Sequence, residues 1–280
     1  MAHIFRNPNL PDYFMSADFV TLAGADRSYL PEYEAAKVIA LPKIKLDIDH
    51  KFWAAFDRPE VPEFKKLNYL VSADQADVGP ATQRLSIAQL DPDLEREAAR
   101  QMTSIVDALI PVYRSLFNGY TFLQERVVWR LHTIMAENLH VDTYKTPLPD
   151  HFARMFINLD DQPRIWHTSW TIDDIMKMQD GRVSREILES GDLNKIWATM
   201  NQQTFGKNSK EWWDNQPRHI AYFEPGDVWV VDSRQVSHQI YYGRRAVSID
   251  FTVDSQSMLN PSRQYLALAE DFRSSQLAHI

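Results

Sequence analysis

No cysteine occurs anywhere in the 280 residues. That excludes disulfides, zinc ribbons, iron–sulfur clusters and thiol nucleophiles, so any metal must be held by nitrogen and oxygen. Apolar runs of the ~18 residues that a membrane span needs are also missing, as is a basic stretch followed by an apolar one after Met1. The chain is therefore expected to be cytoplasmic, with no signal peptide and no transmembrane segment. Nor is there an excess of positive charge: the formal net charge is -8, which argues against a nucleic-acid partner. A small anionic substrate stays open, because a local arginine cluster overrides the global field. What the chain has in quantity is core material. Hydrophobic residues make up 44%, with 8 Trp, 11 Tyr and 14 Phe, enough to bury a sizeable interior.

No Gly/Ser-rich linker or internal repeat divides the chain, so residues 1–280 are expected to form one domain. Residues 1–90 are broken by prolines between short strand-like pieces such as Val38–Leu41 and Tyr69–Val71, and read as a region wrapped around the rest. A support helix is expected over 91–118. Asp91 suits the N-cap and Pro92 the first turn, and Leu94, Ala98, Met102, Ile105, Val106, Leu109 and Ile110 follow the helical period. Its end is expected near Pro111 or shortly after it, with Asn118-Gly119 as a turn. From 120 to 255 the pattern changes to short strands: Val127–Leu131, Asn138–Val141, Phe152–Leu159, Arg164–His167, His219–Phe223, Val228–Asp232, Val236–Tyr242 and Arg245–Val253. A helical insert at about 172–213 splits them. The expectation is an α+β chain, mainly β, built on an antiparallel barrel or jelly roll.

Two motifs carry chemistry. In Asn138-Leu139-His140-Val141-Asp142, residues i and i+2 of a strand share a face, so His140 and Asp142 can present one nitrogen and one oxygen to a single ion. With 9 His and 38 acidic residues in the chain one such spacing arises by chance, and edge-strand polarity is the plain alternative. The second motif is fuller. Glu224-Pro225-Gly226-Asp227 is a tight turn, Val228 to Asp232 an apolar strand, and Ser233-Arg234-Gln235 a polar loop before His238. The next strand alternates Arg244, Ala246 and Ser248, a polar or small face suited to a cavity wall, with Arg245, Val247, Ile249 and Phe251, a packing face. Two histidines and one carboxylate leave several open positions on a metal, the facial triad of non-haem iron oxygenases. A zinc centre competes, although it usually keeps fewer positions open.

The sequence of these features resembles the double-stranded β-helix (jelly-roll, cupin-like) 2-oxoglutarate oxygenases over about Val127 to Val253. Leu139 to Trp166, with His-Val-Asp, Phe-Ala-Arg-Met-Phe-Ile-Asn-Leu and Pro-Arg-Ile-Trp, is similar to the hydroxylases of 3-deoxy-manno-octulosonic acid (Kdo). Gly226 to Phe251 is similar to the bacterial cis-proline hydroxylases and aspartyl β-hydroxylase relatives. The resemblance implies His140, Asp142 and His238 as iron(II) ligands, with 2-oxoglutarate as cosubstrate and O2 as oxidant. It implies hydroxylation of a small polar, anionic metabolite (an amino acid or sugar acid) with release of succinate and CO2. The Kdo variant would act at the membrane surface. Two other classes remain: a cupin-type isomerase or lyase that ignores 2-oxoglutarate, and a non-catalytic jelly-roll binding module.

The distal carboxylate of 2-oxoglutarate needs a cation, for which a bidentate arginine is suited. Arg154 and Arg244 both qualify, the latter at a shorter spacing from His238 than the family keeps, and Asn138 is a further candidate for contacting the cosubstrate. Arg130, His132 and Trp166 are candidate substrate contacts, with ordinary core packing as the alternative for each. Trp212-Trp213 reads as packing or a lid edge. Oligomeric state, including a homo-oligomer, is left open.

Overall fold

In the computed structural model the described residues are 2–17, 29–41, 43–44, 46–54, 67–71, 76–77, 92–130, 134–135, 138–143, 150–206 and 215–279. His132, Trp212 and Trp213 lie outside them. The strands are β1 (His3–Phe5), β2 (Phe14–Ser16), β3 (Val38–Leu41), β4 (Leu67–Val71), β5 (Ala76–Asp77), β6 (Phe122–Gln124), β7 (Arg126–Arg130), β8 (Ile134–Met135), β9 (His151–Asn158), β10 (Arg164–Thr171), β11 (His219–Phe223), β12 (Val228–Val230), β13 (Val236–Gly243) and β14 (Ala246–Val253). The helices are α1 (Leu30–Glu34), α2 (His50–Ala54), α3 (Pro92–Leu116), α4 (Ile172–Met178), α5 (Arg185–Glu189), α6 (Leu193–Phe205) and α7 (Tyr265–Ala278).

Alternation along the strands builds two sheets. One runs β1-β11-β10-β13-β8; the other runs β2-β3-β12-β9-β14-β7-β4-β5, with β6 also on β14. From β8 onward the chain moves back and forth between them. The N-terminal region joins both, since β1 pairs with β11, while β3 pairs with β12 and carries β2 in parallel. Trp166, Phe223, Trp229 and Phe156 lock the sheets face to face, with Trp229 stacked 3.9 Å from Phe223 and edge-to-face with Trp166 at 5.2 Å. Aromatic pairs at such distances add about 0.5–1.5 kcal/mol beyond the area they bury.

On the outer face of the larger sheet, Val127, Trp129, Ala153, Met155, Ile157, Val247, Ile249 and Phe251 meet a stripe from α3. That stripe is Ala98, Met102, Ile105, Val106, Leu109, Tyr113 and Leu116, all buried at helical spacing,. The helix continues through Pro111 and ends shortly after it, at Leu116. Proline in a helix interior costs about 3 kcal/mol. Here the turn beyond it is held by Tyr113, which packs 4.4 Å from Phe251 and donates to the Ala153 carbonyl.

The insert forms α4, α5 and α6 and packs on α7 around a second core of Ile172, Ile196, Trp197, Met200, Tyr265 and Phe272. Among the described residues no helix is long and apolar enough to cross a membrane. Asn138–Val141 is not a regular strand: only His140 forms an isolated bridge, to His238.

Candidate metal centre

His238 lies on β13, and His140 on the extended segment beside it. Each backbone N–H donates to the other's carbonyl, at 3.1 Å from His140 and 2.8 Å from His238. The Asp142 N–H donates to the Ser233 carbonyl at 2.8 Å. Alternation does the rest. Leu139 and Val141 sink into the helical core, while His140 and Asp142 turn to His238. One ligand atom from each of His140, Asp142 and His238 lies within 4.8 Å of the others. Asp142 Oδ1 is 3.5 Å from His140 Nε2 and 4.0 Å from His238 Nε2.

The hydrogen bonds around this group fix which atoms face inward. His140 Nδ1 donates to the Asn138 carbonyl at 2.7 Å, and His238 Nδ1 to the Val236 carbonyl at 3.2 Å. Both Nε2 lone pairs are thereby left toward Asp142, the tautomer that a metal-bound histidine needs. The Ser233 hydroxyl donates to Asp142 Oδ2 at 2.7 Å, and Arg154 Nη1 donates to the same oxygen and to Ser233 Oγ. Oδ1 remains for an ion. Trp166 stacks on the His238 ring at 5.3 Å and 22°, so the ring cannot swing away.

Electrostatics set the protonation states. Burial alone pushes the Asp142 carboxyl up. The Arg154 guanidinium, the His140 hydrogen bond and the neighbouring imidazoles outweigh it and hold the carboxyl well below 3.8. Burial, with His140 alongside, pushes His238 down to about 4. Near neutral pH the site therefore holds an ionised carboxylate and a neutral His238, the forms in which these side chains bind metal.

The two candidate arginines have different surroundings. Arg154 Nε lies 3.1 Å from Asp250, its cross-strand partner on β14, and the other end of its guanidinium meets Asp142. Asp250 also touches Arg126 at 3.4 Å. Arg244 is turned away, beyond Asn158 at the end of the ladder, where it pairs with Asp160 at 2.6 Å and with Asp161. Buried Arg245 reaches the same Asp160 at 3.4 Å. Arg244, the second candidate anchor, is thus neutralised away from the triad, by two aspartates with no sequence motif of their own. Trp166 takes the core-packing alternative named for it. It is 1% exposed and belongs to the core between the sheets, not to an open wall. Asn138 contributes its main-chain carbonyl to His140. Arg130 sits on β7 opposite Ala246.

Ser233, Asp250 and Asn201, whose Oδ1 accepts from the Val141 N–H at 3.0 Å, are the residues that sequence reasoning missed. Asp250 had a readable signal: it continues the polar alternation of Ala246 and Ser248 by one step.

The comparisons with known proteins fit this geometry. Solved structures of the Kdo hydroxylase KdoO, described as a non-heme Fe(II) alphaketoglutarate-dependent dioxygenase, align over 93% of this chain and 95% of theirs at 17% identity. The TM-score is 0.62 for the cobalt(II) complex, 0.62 for the complex with succinate and Fe(III), and 0.60 for that with alphaketoglutarate and Fe(III). At that identity the likeness is one of fold. A sequence search of the curated proteins gives no match. The family model for 3-deoxy-D-manno-oct-2-ulosonic acid (Kdo) hydroxylase matches residues 20–275, which is most of the chain, and the protein accordingly belongs to the Kdo hydroxylase family.

Proposed function

We propose that the chain is an iron(II)- and 2-oxoglutarate-dependent hydroxylase of a sugar acid of the Kdo type, with His140, Asp142 and His238 as the metal ligands. The observation that carries this reading is the convergence of the two Nε2 atoms and one carboxylate oxygen within 4.8 Å. That donor set suits iron(II) and leaves positions open for a cosubstrate and O2. Bound iron with 2-oxoglutarate and O2 supplies the oxidising power that replaces C–H by C–OH, releasing succinate and CO2.

The chain's own residues position and neutralise. The Asn138 and Val236 carbonyls orient the imidazoles. Ser233 and Arg154 hold Asp142 Oδ2, keeping the carboxylate to one ligating oxygen. Arg154 is also assigned to the distal carboxylate of 2-oxoglutarate, since it adjoins the triad and Arg244 does not. The core is read as a double-stranded β-helix. Its support is the interleaved strand order, β12-β9-β14-β7 in one sheet against β11-β10-β13-β8 in the other. Membership of a hydroxylase family sets aside the isomerase and binding-module alternatives.

The test is an anaerobic titration with iron(II) and 2-oxoglutarate, followed by aerobic assay for succinate with free Kdo and with a Kdo-terminated lipid. A weak visible chelate band and sugar-dependent succinate are expected. Folded protein with no band at saturation would remove the proposal; turnover with only the lipid would place the reaction at a membrane surface.

A further inference from the structure

We infer that Asn201, on helix α6 of the insert, is a positioning residue for the His140–Asp142 ligand pair, coupling the helical insert to the metal centre. The inference rests on the reading of that centre as a metal site. It starts from the backbone. In an extended segment, successive residues present their N–H groups to opposite edges. His140 and Asp142 spend theirs on His238 and Ser233. The Val141 N–H between them is therefore directed the other way, toward the insert, where Asn201 Oδ1 accepts it at 3.0 Å. A buried backbone donor needs an acceptor, and here a helix side chain takes the place of a neighbouring strand.

The side chains follow the same division. Leu139 and Val141 are both 1% exposed and pack with Ile172, Ile196, Trp197 and Met200. The ligand pair is thus carried by a short extended piece, gripped on one edge by β13 and its preceding loop and on the other by α6. A shift of α6 would be transmitted through Val141 to the two ligands on either side of it. Residues that orient metal ligands typically change metal affinity by about 10–100-fold when removed.

The experiment measures cobalt(II) binding by the purified full-length chain, from its visible spectrum, together with hydrogen exchange of the peptide spanning residues 139–143 and the thermal midpoint. N201L and N201A delete the acceptor, while N201D retains one. The expected result is a cobalt(II) affinity about tenfold weaker or more in N201A and N201L, with an altered ligand-field band and faster exchange at Val141. N201D should stay near wild type. N201A removes the acceptor without added bulk and carries the test should N201L fail to fold. Unchanged affinity and spectrum in N201A would overturn the positioning role, as would N201D behaving like N201A. A wild-type chain that binds no cobalt(II) would instead overturn the metal-site reading beneath it.

Discussion

His140 and His238 are joined by two reciprocal main-chain hydrogen bonds, of 3.1 and 2.8 Å, and their rings lie 4.6 Å apart. The spacing of the two imidazoles is therefore set by peptide geometry, and the carboxylate of the proposed ligand set is the part a single substitution removes most cleanly. Asp142→Ala should abolish succinate formation and weaken metal binding while leaving the far-ultraviolet dichroism intact. Arg154 keeps Asp250 as a partner, which limits the cost in stability to about 1–3 kcal/mol. Succinate production at the wild-type rate in this variant would take Asp142 out of the ligand set.

The two arginines should separate by assay. Arg154→Met should raise the apparent KM for 2-oxoglutarate about tenfold or more, since a lost charge-assisted hydrogen bond is worth about 1.5–3 kcal/mol. Arg244→Met should leave that KM unchanged. It should instead lower the urea midpoint, because Asp160 would lose the 2.6 Å Arg244 pair and keep Arg245 at 3.4 Å and the Asp161 N–H at 2.8 Å. The reverse pattern would move the cosubstrate anchor to the end of the β9–β14 ladder.

Trp166→Ala should destabilise the fold by about 3–5 kcal/mol, because the ring fills the space between the sheets against Phe156, Trp229 and His238. Urea unfolding measures this. A variant of wild-type stability with a raised KM for the sugar would return Trp166 to the substrate wall.

Acid stability provides a separate test, away from the centre. His151 is fully buried against the rings of Tyr33 and Tyr120, 3.9 Å from Asp232. Burial lowers it to about 4, Arg234 adding to this and Asp232 opposing. The unfolded chain, with the ordinary value of about 6.5, takes up this proton first as the pH falls. The contribution is intact above about pH 6.5 and is lost progressively toward pH 4, by as much as about 3 kcal/mol. His151→Phe should flatten the stability profile across that window, read from urea midpoints at several pH values. An unchanged slope would assign the acid lability to other groups.

Legibility in the sequence followed the range of the forces involved. Strand β11 stands where alternation puts it, at His219–Phe223, because one face packs on a core and the other does not. The end of α3 falls at Leu116, inside the expected span, although Pro111 is a local stop signal, because the packing of Tyr113 on Phe251 holds the turn beyond it. Helix α7 had a pattern in plain view, with Tyr265, Leu268, Ala269 and Phe272 buried at helical spacing, but it lies past the last strand and no motif drew attention to it. The His-x-Asp spacing and the distant histidine could be read as a site because the chemistry dictates the residue types. Asp160 could not, since an aspartate that neutralises Arg244 and Arg245 looks like any loop carboxylate until the fold brings them together.

The pair of reciprocal amide–carbonyl bonds that ties His140 to His238 has a consequence for how such a protein can diverge. Because backbone atoms, common to every residue type, hold the imidazoles at their separation, replacements around the cavity leave that separation in place. On the proposed reading of the site, descendants of this chain can exchange one sugar acid for another by changing the walls alone, keeping the imidazole pair in place.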